Sequence, residues 1–203
     1  MKEERFEYGI RLTNFFPQDI LEGLLEIIQN PPKPDQLKTV PLTKIIDGQN
    51  RPCSDQLGVY HKERYPIIQS AHDFATDYFQ NHEESIMVKH DRGESHYTIN
   101  GELQTTPPHC RYGVHQDTPR KLHTLIIYLH PTDGDGTLFF DEMNPQKTRG
   151  IGGQQDPWSV NCGYWMGIDG ERPFHSYRND TDETRWIFMC NLSKITKIPL
   201  DNG

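Results

Sequence analysis

The stretch RYGVHQDTPRKLHTLIIYLHPTDGDGTLFF, residues 111–140, decides how this chain is read. Its first run ends in His115-Gln116-Asp117. If residues 112–117 form a strand end, His115 and Asp117 project from the same face, because side chains alternate along a strand. One metal ion can then take both. Far downstream stands His175, and ten residues beyond it Arg185. A histidine from a distant strand completes a set of two imidazoles and one carboxylate. Such a set caps one face of an octahedral ion and leaves the opposite three positions open.

Around this stretch the texture is that of many short strands. The predicted runs are Ile86–His90, His96–Asn100, His109–Val114, Leu122–His130, Thr137–Asp141, Tyr164–Ile168 and Trp186–Leu192. Asp91-Arg92-Gly93, Asn100-Gly101, Asp133-Gly134-Asp135-Gly136 and Asp169-Gly170 are turn formers. A sandwich or barrel follows. The stretch 144–157, with Gly150, Gly152 and Gly153, reads as a loop at the barrel mouth that can act as a lid.

The first third reads as helical. Ile20, Leu21, Leu24, Leu25, Ile27 and Ile28 recur at helical spacing after Pro17, and Pro31-Pro32 ends the run. From Pro66 a second stripe follows: Ile67, Ile68, Ala71, Phe74, Ala75, Tyr78 and Phe79. Residues 31–62, rich in Pro, Lys, Asp and Gln, look like loop with a short strand at most.

With 203 residues the chain suits a single domain, 1–203, with a helical buttress over 1–85 and a β core over 86–195. Its content, 33% hydrophobic and 25% charged with a net charge of −8, argues against a nucleic-acid partner, which demands a basic face. Cys53, Cys110, Cys162 and Cys190 form no CxxC pair, so a zinc ribbon or dithiol redox site is not indicated, and a reducing cytoplasm fits them. The start, MKEERFEYGIRL, lacks the apolar core of a signal peptide, and no stretch approaches the length of a membrane span. A cytoplasmic protein without a membrane partner is expected.

A bare HxD pair is common by chance, and context gives it weight. The pair precedes the apolar run Leu125-Ile126-Ile127-Tyr128-Leu129, and His175 precedes Arg185 and Trp186-Ile187-Phe188-Met189. His109, His123 and His130 lack a carboxylate two residues away or a partner strand at suitable distance, and read as surface or supporting residues. Tyr97, Tyr112, Trp165 and Trp186 read first as packing. Arg111, Arg120 and Lys121 flank the pair and either keep the rim soluble or attract an acidic substrate.

This order of strands, metal pair, turn, distal His and Arg resembles the 2-oxoglutarate and Fe(II)-dependent oxygenases, and most closely their prolyl 4-hydroxylase-like branch. The shared marks are Tyr112 three residues before His115, the ending Tyr128-Leu129, the small-residue turn before Thr137-Leu138-Phe139, and Arg185 ten residues after His175. The match covers roughly residues 95–192. The resemblance implies a double-stranded β-helix, a cupin-like jelly roll buttressed by α-helices. It implies Fe(II) on His115, Asp117 and His175, with 2-oxoglutarate and O2 as co-substrates and ascorbate as a stimulant. Arg185 would bind the distal carboxylate of 2-oxoglutarate, where an uncompensated charge is costly. Tyr128, Thr137 and Tyr112 would assist.

The implied reaction is hydroxylation of an unactivated C–H, coupled to conversion of 2-oxoglutarate to succinate and CO2. Halogenating relatives replace the carboxylate by a small residue, and Asp117 is present. A prolyl or peptidyl substrate leads, with a free amino acid or small metabolite as the alternative. Three further readings stand beside it. A cupin-like enzyme would carry an HxH, which is absent. A nucleic-acid demethylase would carry a second Arg six residues past the first, and position 191 is Asn. A catalytically silent jelly-roll binding module would have lost a ligand, and all three are present.

Overall fold

The computed structural model describes residues 1–32, 38–39, 43–46, 49–52, 55–58, 65–90, 97–141 and 154–195. In chain order these form β1 (Lys2–Phe6), β2 (Gly9–Thr13), α1 (Gln18–Gln29), β3 (Lys38–Thr39), β4 (Thr43–Ile46), β5 (Gln49–Pro52), β6 (Asp55–Gly58), α2 (Pro66–Asn81), α3 (Ile86–His90), β7 (Tyr97–Thr106), β8 (Cys110–His115), β9 (Lys121–His130), β10 (Asp135–Phe140), β11 (Gln154–Pro157), β12 (Cys162–Met166), β13 (Phe174–Asn179) and β14 (Arg185–Lys194).

An eight-stranded sheet runs β1-β2-β12-β9-β14-β7-β6-β3 and a four-stranded sheet runs β11-β10-β13-β8. All their pairings are antiparallel. The central strands of the large sheet are covered on both faces, which is why β9 reads as an unbroken apolar run instead of alternating. Leu125, Ile127 and Leu129 join Trp186, Phe188, Cys190 and Leu192 of β14 in one core with Leu24 of α1 and Ile68, Ala71 and Phe79 of α2. The intervening residues point the other way. Ile126 and Tyr128 pack with Tyr164 and Met166 of β12, Ile187 of β14 and Phe139 of β10, so the two sheets face each other across a second, smaller core. This is the jelly roll, with α1 and α2 buttressing its large sheet.

Both predicted helices form where the apolar stripes place them, and Pro66 opens α2 as its first residue. Ile86–His90, expected as a strand, is a helical turn. The Ser85 hydroxyl accepts the Met87 N–H and its carbonyl accepts the Val88 N–H, so a local cap overrides the β-branched composition. Nor are the first 85 residues helical throughout, because β1 and β2 extend the large sheet and β3 to β6 occupy the stretch expected as loop. β1, KEERF, hides from a hydrophobicity reading because it is a charged edge strand. Asn100-Gly101 is no turn: both residues lie within β7, and Gly101 is needed because a Cβ there would meet the Phe188 and His72 side chains. Of the expected lid, 144–153 lies outside the described residues and 154–157 is strand β11.

Candidate active site

His115 ends β8 and His175 is the second residue of β13, and the ladder sets them directly opposite each other. Their ring centroids are 4.3 Å apart. Each Nδ1 lies 3.0 Å from a backbone carbonyl two residues earlier, that of Gly113 for His115 and that of Pro173 for His175. A carbonyl only accepts, so each Nδ1 carries the proton and the ring lone pair sits on each Nε2. Asp117 falls just beyond the end of β8, in the connection to β9, instead of within the strand as its spacing suggested. It is held there by side chains: Lys121 Nζ donates to Oδ1 at 3.1 Å and Thr124 Oγ1 to Oδ2 at 2.7 Å. One ligand atom from each of the three residues lies within 4.8 Å of the others.

The electrostatics suit a cation. Burial pushes His175 down to about 4, with neighbouring His115 acting in the same sense and Asp117 partly opposing it. Burial also lowers His115. Burial alone would raise Asp117, but Lys121, His175 and the hydrogen bonds from Thr124 and Lys121 hold its carboxyl below the ordinary value. At neutral pH the trio therefore presents two neutral imidazoles and one carboxylate, the protonation states a metal requires.

Arg185 opens β14 and points into the barrel with only 2% of its surface exposed. None of its Nε, Nη1 and Nη2 atoms has a hydrogen-bond partner among the described residues. Its guanidinium carbon sits 4.4 Å from the ring centre of Tyr177, 4.9 Å from Trp158 and 5.7 Å from Tyr128. A buried cation among aromatic faces, without an acceptor, has room in its hydrogen-bonding for an anion. Tyr177 lies two residues beyond His175 on β13, so both share one face of that strand. The guanidinium and the candidate metal-ligand set thus open on the same interior.

Tyr128 lies beside this guanidinium and is hydrogen-bonded to Thr137. The Tyr128 hydroxyl accepts the Thr137 N–H at 3.0 Å and lies 3.2 Å from Asp156 Oδ2 and 3.3 Å from Thr137 Oγ1. Thr137 Oγ1 and the Tyr164 hydroxyl are 2.6 Å apart. Asp156, from β11, also takes the Arg11 Nε–H at 2.8 Å, and burial still raises its carboxyl above the ordinary value. Tyr112 pairs with Tyr177 in the ladder, and its side chain lies outside the described residues.

The remaining histidines separate as their neighbours dictate. His109 and His130 pair with Asp182 and Glu183 near the surface. His123, expected at the surface or in support of the site, is instead buried in the core between Phe79 and Trp165, its Nε2 accepting the Ile86 N–H. Trp165 and Trp186 are core residues. Lys121, expected on the rim, holds Asp117. Sequence reasoning missed Thr124, Trp158, Tyr164, Tyr177 and Asp156; the inward alternation of β9, Thr124-x-Ile126-x-Tyr128, was the available signal for the first. An open cleft shares Arg172 and Pro173 with the pocket beside Asp117 and His175, and is further lined by Glu7, Tyr8, Gln116, Phe140, Asp141, Glu171 and Phe174. No described helix is long and apolar enough to cross a membrane.

No family model and no curated protein matches the sequence. Solved structures do match. A prolyl-4-hydroxylase from Pseudomonas putida is 15% identical with a TM-score of 0.61 over 92% of each chain. A Trichoplax adhaerens prolyl hydroxylase, in complex with a peptide fragment of the hypoxia inducible factor oxygen degradation domain, is 14% identical with a TM-score of 0.63 over 90% of this chain and 82% of that one. HygX from Streptomyces hygroscopicus, with nickel, 2-oxoglutarate and hygromycin B bound, is 9% identical with a TM-score of 0.57 over 92% and 83%. At such identities the likeness speaks for architecture: the chain is built on the jelly-roll fold of the prolyl 4-hydroxylases.

Proposed function

We propose that the chain is an Fe(II)- and 2-oxoglutarate-dependent dioxygenase of the prolyl 4-hydroxylase-like kind, acting as one domain over residues 1–203. The observation that carries the reading is the buried guanidinium of Arg185, without a hydrogen-bond partner among the described residues, on the same interior as His115, Asp117 and His175. A metal set alone fits many proteins. A metal set beside an unsatisfied buried cation fits a ligand that chelates at one end and carries a carboxylate at the other, which describes 2-oxoglutarate.

In this reading His115 Nε2, His175 Nε2 and an Asp117 oxygen hold the iron, and Arg185 holds the distal carboxylate. Iron with 2-oxoglutarate and O2 supplies oxidative decarboxylation to succinate and CO2 and oxidation of a C–H bond, ascorbate serving as a stimulant. The chain's own work is positional. The Nδ1 hydrogen bonds fix both rings, and Lys121 and Thr124 fix the carboxylate. Trp158, Tyr128 and Tyr177 keep water from the Arg185 pair, which strengthens it. Tyr128 and Thr137 contribute through their hydroxyls, and Tyr112 from β8 completes the set.

The substrate enters through the cleft beside Gln116, Arg172 and Pro173. A prolyl or peptidyl residue leads, in keeping with the two prolyl hydroxylases of this fold. A small metabolite is the second reading, favoured by the hygromycin B bound in HygX. Cys110, Cys162 and Cys190 form no disulfide among the described residues, which suits a reducing cytoplasm. The test is succinate release from 2-oxoglutarate with added Fe(II), comparing the parent with Asp117→Ala. Loss of turnover in a variant that melts like the parent is expected; retained turnover removes Asp117 from the site.

A further inference from the structure

Asn191 stands where a nucleic-acid demethylase of related fold would carry its second arginine, and the proposed reaction gives it no task. Its place is informative. Asn191 and Thr124 are cross-strand partners on β14 and β9, 9% and 3% exposed, and both face the barrel interior. Thr124 Oγ1 is 2.7 Å from Asp117 Oδ2 and 3.1 Å from Asn191 Oδ1.

A hydroxyl has one proton to give. The carboxylate is the stronger acceptor and the nearer, so Thr124 donates to Asp117. Two oxygens, those of Thr124 and Asn191, would then face each other across 3.1 Å in a buried setting with no proton between them. Turning the Asn191 amide removes the conflict, because its O and N have the same shape and only the hydrogen-bond balance distinguishes them. Asn191 Nδ2 then donates to Thr124 Oγ1, which donates to Asp117 Oδ2.

Asp117 needs such an anchor more than its companions do. His115 and His175 are fixed by the strand ladder and by backbone carbonyls, whereas Asp117 sits in a connection beyond the end of β8. Its other partner, Lys121, has a side chain 30% exposed on a flexible stem, and an ion pair of that kind fixes geometry weakly.

We propose that Asn191 and Thr124 are positioning residues: a one-directional relay, Asn191 amide to Thr124 hydroxyl to Asp117 carboxylate, ties the loop-borne metal ligand to the rigid centre of the large sheet. The proposal rests on the metal reading above and adds to it the two residues that hold the third ligand. The relay acts through Asp117.

The experiment is titration of the metal-free protein with Co(II), read by the visible Co(II) bands, for the parent, Thr124→Val, Thr124→Ser, Asn191→Leu, Asn191→Asp and the Thr124→Val/Asn191→Leu double variant. Supporting hydrogen bonds of this kind contribute roughly 10- to 100-fold to metal affinity, so Thr124→Val and Asn191→Leu should each weaken Co(II) binding by that order. The double variant should be no weaker than Thr124→Val alone, because the two act in series. Thr124→Ser should bind like the parent. Asn191→Asp, which replaces the donor by an acceptor, should bind no better than Asn191→Leu. Binding in Asn191→Asp equal to the parent, or additive losses in the double variant, would overturn the relay. A parent that binds no Co(II) would instead sink the metal reading, and the relay with it.

Discussion

His115 and His175 face each other across β8 and β13, ring centroids 4.3 Å apart, each with its Nδ1 spent on a backbone carbonyl. A buried and a half-buried imidazole this close resist protonation. The His175 pKa of about 4 lies below that of an unfolded histidine, so between roughly pH 6.5 and 4 the unfolded chain binds the proton that the folded chain refuses. The metal-free protein should therefore lose stability as pH falls through that window, by up to about 1.4 kcal/mol per pH unit for this group. Asp117 works lower on the scale: its stabilisation is present above the ordinary carboxylate value and is lost as pH falls through its depressed one. Urea unfolding at a series of pH values checks this, with His175→Gln as comparison. An unchanged slope in that variant between pH 6.5 and 4 would rule His175 out as the source.

In the proposed function Arg185 costs the empty protein stability and gives the loaded one its affinity. Replacing a buried, unpaired cation by an apolar side chain is neutral or stabilising, whereas a charge-assisted pair with a carboxylate is worth about 3 kcal/mol. Arg185→Leu should therefore melt at or above the parent's temperature when metal-free, and bind 2-oxoglutarate about 100-fold more weakly in calorimetry with Co(II) present. Unaltered 2-oxoglutarate affinity would remove Arg185 from the site.

The Tyr128 hydroxyl is already engaged with the Thr137 N–H and with Asp156. Tyr128→Phe leaves the buried Thr137 N–H without its Tyr128 acceptor and Asp156 with Arg11 but not Tyr128 as a donor, at a cost of about 1–3 kcal/mol. Chemical denaturation measures it. Full stability combined with weakened 2-oxoglutarate binding would show that the hydroxyl serves the co-substrate alone.

Gly136 lies where the β10 to β11 register shifts, and a Cβ there would meet the Asp156 carbonyl. Gly136→Ala must push β11 away, costing about 1–3 kcal/mol and displacing Asp156 from Arg11. A variant as stable as the parent would show that β11 is free to shift.

What the sequence could show followed from period and chemistry. That His115, Asp117 and His175 come together was legible from donor types and sequence order, although Asp117 lies beyond the end of β8, and β9 was legible because a doubly buried strand is apolar throughout. β13, FHSYRN, carries too many polar residues to read as a strand, since its inner face is given to His175 and Tyr177 instead of to packing. Thr124, Asn191 and Asp156 stayed hidden for a related reason. Each is a polar residue whose partner lies on another strand, and no local pattern records a partner 28 to 145 residues away. Ile86–His90 misled because five residues cannot separate a strand from one turn of helix, and Ser85 decided it.

The central claim is that His115, Asp117, His175 and Arg185 form one site for Fe(II) and 2-oxoglutarate. Anaerobic titration with Fe(II) and then 2-oxoglutarate, followed in the visible spectrum for the parent and His175→Ala, tests it most directly. A charge-transfer band that appears only when both are added, and is missing from a folded His175→Ala protein, is the predicted result. A folded, metal-loaded parent that shows no band on adding 2-oxoglutarate would contradict the account.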